Sequence, residues 1–202
     1  MPKPKQPTYH QIHGWFDFET VYQDAVDRAP QHGATFVELG AWLGKSTVAM
    51  AKMIQVSKKQ ITFYTVDTWD GRGIKGLDLN NLKKHEPRVA DKLANEQSLL
   101  PIFQENLRRC KVRRFVKTLC STTQEASTHF DDHSLAFVFI DASHDLASVR
   151  QDILTWIKKV KPKGTLAGHD YGHPKYPGVK QAVDELLPHA EIVAPYAYCV
   201  AV

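Results

Sequence analysis

Apolar positions along this chain change period repeatedly. Phe18, Val21, Tyr22, Ala25 and Val26 recur at helical spacing and predict an amphipathic helix over about 16–29. Phe36-Val-Glu-Leu39 is a short apolar run, and after a turn of small residues a second helical stretch covers about 45–56. Residues 61–67, Ile61-Thr-Phe-Tyr-Thr-Val-Asp67, are rich in β-branched and aromatic side chains, as buried strands are. Residues 112–118 and 135–141 read as a third and a fourth strand. Val149, Ile153, Trp156, Ile157 and Val160 then line one stripe of a helix over 146–160, which Lys161-Pro-Lys-Gly164 stops before a strand over 165–168. A last helix over 179–187 precedes two short strands, 191–193 and 198–202.

Strands that are apolar on both faces and alternate with helices predict an α/β fold: a mostly parallel, seven-stranded, Rossmann-like sheet with helices on both faces. Neither repeats nor a composition break divide the chain, so residues 1–202 are expected to form a single domain. Residues 1–8, rich in Pro and Lys, are expected to be a disordered tail. Residues 70–100 break the rhythm with Asp70-Gly-Arg-Gly73, many charges and few strong core positions. So long a connection in a compact domain is usually functional, and a partly helical lid over the substrate is expected there.

Composition adds little to this picture. A chain of 202 residues with 43% hydrophobic and 24% charged residues is ordinary for a globular protein. The net charge of +4 is partly concentrated in Arg108-Arg-Cys-Lys-Val-Arg-Arg114, which suits a helix C-terminus. Nucleic-acid binding would ask for a larger basic face with interleaved aromatics, so no nucleic-acid partner is expected. Cys110, Cys120 and Cys199 form no CxxC pair, which fits reduced thiols and a cytoplasmic location. No apolar run approaches the roughly 18 residues of a membrane span, and no signal-peptide core is seen.

Candidate chemistry begins at Glu38-Leu-Gly40-Ala-Trp42-Leu-Gly44-Lys-Ser46, where the first strand turns into its helix. Gly40 permits a tight turn with close backbone approach, and Gly44 permits close helix packing. A carboxylate beside such a turn suits a cationic or hydroxyl-rich ligand better than a phosphate. Gly44-Lys45-Ser46 superficially resembles a phosphate-cradling loop, but that loop needs its first glycine at the position of Leu39. Asp67 ends the second strand, where an acidic side chain accepts both hydroxyls of an adenosine ribose or, alternatively, caps a helix. Asp141 and Asp170 end the fourth and fifth strands, which in a parallel sheet deliver their carboxyl ends to one rim. Two carboxylates there repel unless a cation lies between them, and oxygen donors suit Mg²⁺.

Three blocks of the sequence carry a resemblance: Phe36-Val-Glu-Leu-Gly-Ala-Trp-Leu-Gly-Lys-Ser46, Thr65-Val-Asp-Thr-Trp69, and Phe139-Ile-Asp-Ala-Ser-His144 with Gly168-His-Asp-Tyr171. Over about residues 14–190 the chain resembles class I S-adenosylmethionine-dependent methyltransferases. It is most similar to the small-molecule O-methyltransferases of the catechol type, the macrolide-sugar O-methyltransferases and the cephalosporin-type methoxylation proteins. The resemblance implies that Glu38, Gly40 and Trp42 surround the methionine part of the cofactor and that Ser46 meets its carboxylate. It implies that Asp67 takes the ribose, and that Ser121 and Thr122 meet the adenine edge unless Ser121 only caps the following helix.

The same resemblance implies a divalent metal, Mg²⁺ or Mn²⁺, held by Asp141, His169 and Asp170. The family places a second acidic or amide side chain where this chain has His169, a departure that leans towards Mn²⁺. A zinc pair of His169 and His173 lacks a third ligand at fitting spacing. Where the catechol-type enzymes have a lysine base, this chain has His144, able to accept a proton near neutral pH. His144 and Asp141 are thus the expected catalytic residues. The implied activity is metal-assisted O-methylation of a small hydroxylated acceptor, a sugar or a phenol. The alternatives are a metal-independent N-methyltransferase and a cofactor-binding subunit that is non-catalytic or partner-dependent. By analogy with such folds a homodimer is expected. Acceptor choice is expected to lie in the lid, the 15–18 segment and the 171–176 loop.

Overall fold

A computed structural model of the protein describes residues 8–70, 83–84, 87–96 and 98–202. Residues 1–7 of the expected tail, and residues 71–82, 85–86 and 97 of the expected lid, lie outside the described residues. The strands are β1 (His32–Leu39), β2 (Gln60–Asp67), β3 (Val116–Cys120), β4 (Leu135–Ile140), β5 (Val160–Gly168), β6 (Glu191–Ala194) and β7 (Ala197–Ala201). The described helices are α1 (Glu19–Arg28), α2 (Lys45–Ser57), α3 (Pro87–Glu96), α4 (Leu100–Arg109), α5 (Thr123–Ser127), α6 (Leu146–Trp156) and α7 (Pro177–Leu186).

The seven strands form one sheet in the order β3-β2-β1-β4-β5-β7-β6. The first five in that order are mutually parallel, and β7 runs antiparallel to both β5 and β6. This is the mostly parallel seven-stranded sheet that the alternating pattern predicts. Chain order reverses between β1 and β4, so a crevice opens at their carboxyl ends, where α/β sheets bind ligands.

Alternation along the strands sorts the core into two faces. Val37, Leu39, Val138, Ile140 and Leu166 pack beneath α6 and α7, against Val149, Ile153, Trp156 and Val179. Phe36, Phe63, Phe137 and Phe139 point the other way, against Phe18 and Tyr22 around α1 and against Met50 and Ile54 of α2. Each such buried aromatic or aliphatic side chain contributes roughly 1.5–3 kcal/mol by leaving water. Glu38 shares the face of the phenylalanines because it has their parity, and that explains its burial at 1% exposure. A third apolar cluster, with Leu43, Trp69, Phe103 and Val112, seals the ends of α2 and α4.

Three boundaries differ from the sequence pattern. β1 starts at His32 because a bulge at Gly33 (φ 80°) lets polar residues join the ladder. Val112 belongs to the third cluster and Arg113–Phe115 form a 3-10 turn, so β3 begins only at Val116. The helix expected over 146–160 ends at Trp156, and a 3-10 turn follows over Ile157–Lys159. β5 already starts at Val160, so Lys161-Pro-Lys-Gly164 does not separate helix from strand but lies within β5. It falls where the β4 ladder shifts register between Leu135 and Phe137, so Pro162 sits where its missing N–H leaves no ladder bond open.

Candidate functional site

The turn after β1 is fixed from both sides. Its Gly40 N–H donates to Val66 O at 2.8 Å, and the Asp141 N–H donates to Leu39 O at 2.8 Å. Gly40 has φ 85°, and a Cβ there would lie 1.9 Å from the Asp141 carbonyl oxygen. The backbone after β1 therefore touches the backbone after β4. A Cβ on Gly44 would lie 2.9 Å from the Phe103 ring, the close packing expected of that glycine.

Asp67 locks this turn to the end of β2. Its Oδ2 accepts from the Ala41 and Trp42 N–H groups, each at 2.9 Å, and its Oδ1 accepts from the Trp69 N–H at 2.7 Å. Burial raises the carboxyl pKa, and these three N–H bonds oppose that rise. Trp42 (φ 48°) and Trp69 (φ 49°) both have left-handed backbones, which bulky residues rarely adopt. Such conformations persist only where surroundings over-determine them, and they cluster at ligand sites. Here the Asp67 bonds and a Trp69 Nε1–H bond to Trp42 O (2.9 Å) hold both. Each carboxylate oxygen has two lone pairs, so Oδ2 is filled and one acceptor position, on Oδ1, is left for a hydroxyl.

Beneath the turn, Glu38 is surrounded by hydroxyls. Tyr22 Oη donates to Oε1 at 2.9 Å, while Thr65 Oγ1 (2.9 Å) and Thr47 Oγ1 donate to Oε2. Ser46, buried at the start of α2, also lies close enough to lower the pKa of this carboxyl. Burial raises the Glu38 pKa, and the surrounding hydroxyls oppose that rise.

The carboxyl ends of β4 and β5 bring Asp141, His144 and Asp170 together. One ligand atom from each lies within 4.8 Å of the other two. His144 Nε2 is 2.7 Å from Asp170 Oδ2 and 3.7 Å from Asp141 Oδ1. Burial alone would lower the His144 pKa, but hydrogen bonds and charge from both aspartates raise it to about 9. Asp170 is held well below the usual carboxylate range, because the two histidines outweigh its burial. The ring of Tyr176 stacks on His144 with centroids 4.2 Å apart.

His169 is turned differently from the expected ligand. Its Nε2 lies 2.8 Å from Asp17 Oδ1, and its Nδ1 is 3.9 Å from Asp141 Oδ1 and 3.6 Å from Asp170 Oδ1. Among the described residues the compact three-ligand group contains His144 in place of His169. Asp17 has no sequence signal of its own; only the tertiary fold brings the segment before α1 to the end of β5.

At the end of β3, Thr122 rather than Ser121 caps α5. Its Oγ1 accepts from the Glu125 N–H at 3.2 Å, and the Glu125 carboxylate accepts the Thr122 N–H in return. Ser121 Oγ is buried with no hydrogen-bond partner among the described residues, and so is Trp42 Nε1. Buried polar atoms left unpaired are uncommon, and each asks for a ligand group or water. Both belong to residues expected to face a cofactor, and the backbone ties both to Asp67.

Comparison with known proteins places this geometry. No curated protein matches the sequence significantly. Among solved structures, the O-methyltransferase NovP superposes with a TM-score of 0.66 at 16% identity, covering 91% of this chain and 78% of that one. CalS11, a TDP-rhamnose 3'-O-methyltransferase of calicheamicin biosynthesis, gives 0.56 at 14% identity over 91% of this chain and 76% of that one. An O-methyltransferase from Bacillus cereus, solved in complex with SAH, gives 0.56 at 13% identity over 91% and 78%. These similarities establish the shared fold, and a family model described as a methyltransferase domain matches residues 37–171. With that match spanning both the β1 turn and the Asp141–His144–Asp170 cluster, the chain belongs to the methyltransferase-domain family.

Proposed function

We propose that the protein transfers a methyl group from S-adenosylmethionine to a hydroxyl of a small acceptor, a sugar or a phenol, with help from a divalent cation. The observation that carries this reading is the Asp141–His144–Asp170 cluster at the rim next to the Gly40 turn. Family membership and the SAH held by a structural neighbour support the donor. Two unpaired buried groups, Ser121 Oγ and Trp42 Nε1, fit a ligand that spans the ends of β1, β2 and β3. Gly40, Trp42 and Asp67 line its methionine and ribose portions, and Ser121 with Thr122 lines the base.

Two carboxylates and one imidazole form a donor set suited to Mg²⁺ or Mn²⁺. A bound cation would supply a Lewis acid that makes the acceptor hydroxyl more acidic. Asp141 and Asp170 would hold it, with His169 Nδ1 near both carboxylates. His144 Nε2 takes the acceptor's proton, and Asp170 Oδ2 stabilises the resulting imidazolium from 2.7 Å. The acceptor oxygen forms the new bond to the methyl carbon while the carbon–sulfur electrons return to sulfur. Without a cation, two carboxylates keep His144 protonated, and in that state it cannot act as a base.

The compactness of the cluster favours a second reading, in which His144 Nε2 is itself a ligand. One nitrogen cannot bind metal and accept the proton at the same time, so the readings exclude each other. Calorimetric titration with S-adenosylhomocysteine and with Mn²⁺, on wild type, Asp170→Asn and His144→Ala, separates them. Micromolar cofactor binding in all three, with Mn²⁺ binding lost in Asp170→Asn and kept in His144→Ala, supports the base. Loss of Mn²⁺ binding in both variants supports the ligand. No S-adenosylhomocysteine binding by the wild type would remove the methyl donor, and no Mn²⁺ binding would remove the cation.

A further inference from the structure

Beside Asp141 the fold leaves a narrow, partly open cavity of about 10 Å³. Asp141, Ser143, His144, His169 and Tyr198 line it, with apolar walls from Ile140, Val149 and Val179. That volume is about one water-sized sphere, the least that holds a water. Tyr198 reaches it from β7, opposite Gly168 in the antiparallel ladder. A Cβ on Gly168 would lie 2.4 Å from the Tyr198 hydroxyl, so the glycine gives the phenol its space. Tyr198 is 1% exposed, and its hydroxyl has no hydrogen-bond partner among the described residues. Burial and the nearby carboxylates Asp152 and Asp141 keep the phenol protonated, hence a donor. An unpaired buried hydroxyl is costly, and phenylalanine would fill the same volume without it.

We propose that this cavity holds one water that accepts from Tyr198 Oη and donates to the Asp141 carboxylate, making Tyr198 a positioning residue for the cluster. The water half of the inference stands on the cavity and the unpaired hydroxyl. The positioning half rests on the cation reading above. Groups that orient a ligating carboxylate typically change metal affinity 10- to 100-fold when removed.

The test is Tyr198→Phe, compared with wild type by urea unfolding of the metal-free protein and by Mn²⁺ titration followed by electron paramagnetic resonance. The expected result is an unfolding constant raised about fivefold, as for loss of one buried hydrogen bond, and Mn²⁺ affinity weakened about tenfold. Near-ultraviolet circular dichroism should match wild type. Stability equal to or above wild type would overturn the water, because removing an unpaired hydroxyl is neutral or favourable. Lower stability with unchanged Mn²⁺ affinity would overturn the positioning role. If the wild type binds no Mn²⁺, the cation reading fails separately, and the unfolding arm alone decides the water.

Discussion

Gly40→Ala tests how closely the site is built on backbone contact. Two separate penalties are expected. Gly40 has φ 85°, and an L-residue held in the left-handed region costs roughly 1–2 kcal/mol. The added Cβ would also fall 1.9 Å from the Asp141 carbonyl oxygen, 2.5 Å from its carbon and 2.9 Å from Ala142 Cα. All three are main-chain atoms, so no side chain can swing away, and β1 and β4 must separate. Forcing a methyl into a packed region costs about 1–3 kcal/mol more. The sum, about 2–5 kcal/mol, is a large share of the roughly 5–15 kcal/mol that stabilises a typical domain. Gly33→Ala is the internal control, since Gly33 has φ 80° but nothing within 4 Å of its added Cβ. It should show the conformational penalty alone. Urea unfolding of both variants isolates the contact term by difference. Equal destabilisation of the two would refute the argument that Gly40 is there for the approach to Asp141.

Other predictions concern buried polar groups. Asp152 is 2% exposed on α6, and its Oδ1 accepts from Thr123 Oγ1 at 2.6 Å and Gln124 Nε2 at 2.9 Å. Burial, opposed by those bonds, raises its pKa from 3.8 to about 6. A raised pKa favours the protonated folded state, so this group's contribution is full below pH ~4 and is lost as pH rises through ~6. Asp152→Asn keeps the accepting oxygen and removes the titration. Its stability relative to wild type should therefore climb by roughly 2–3 kcal/mol between pH 4 and pH 7, and a flat difference across urea curves in that range would contradict the assignment. Tyr22→Phe deletes one donor to the buried Glu38 carboxylate and should cost about 1.5–3 kcal/mol, typical of a hydrogen bond to a charged group. A neutral result in the same assay would mean that Glu38 does not depend on that hydroxyl.

How far the sequence reveals this molecule depends on how local each signal is. Strand periodicity in β2 and β4, and the apolar stripe of α6, come from burial on known faces, so those elements match within a few residues. Bulges are not local signals. The one at Gly33 and the register shift in β5 exist because neighbouring strands accept extra residues, so Lys161-Pro-Lys-Gly164 reads as punctuation while it forms strand. In the site, the β1 turn and the two aspartates at the strand ends follow from topology and were legible. The orientation of the imidazoles was not. The family resemblance implies His169 as a ligand partner of Asp170, yet the ring turns one nitrogen to Asp17, a residue far away in the chain. Likewise the hydroxyls around Glu38 come from α1, α2 and β2, and only packing brings them together.

The setting of Glu38 bears on turnover as well as folding. Its hydrogen-bond partners among the described residues are hydroxyls, which are neutral, so hydrogen bonding satisfies the carboxylate without cancelling its charge. A sheltered negative potential of this kind falls off slowly in a medium of low dielectric constant and extends towards the turn above it. The sulfonium donor of the proposed reaction would be attracted by that potential, whereas the thioether left after transfer would have lost its positive sulfur. With S-adenosylmethionine as the proposed donor, such a bias would grip the charged reactant more tightly than its spent form and so favour departure of the product.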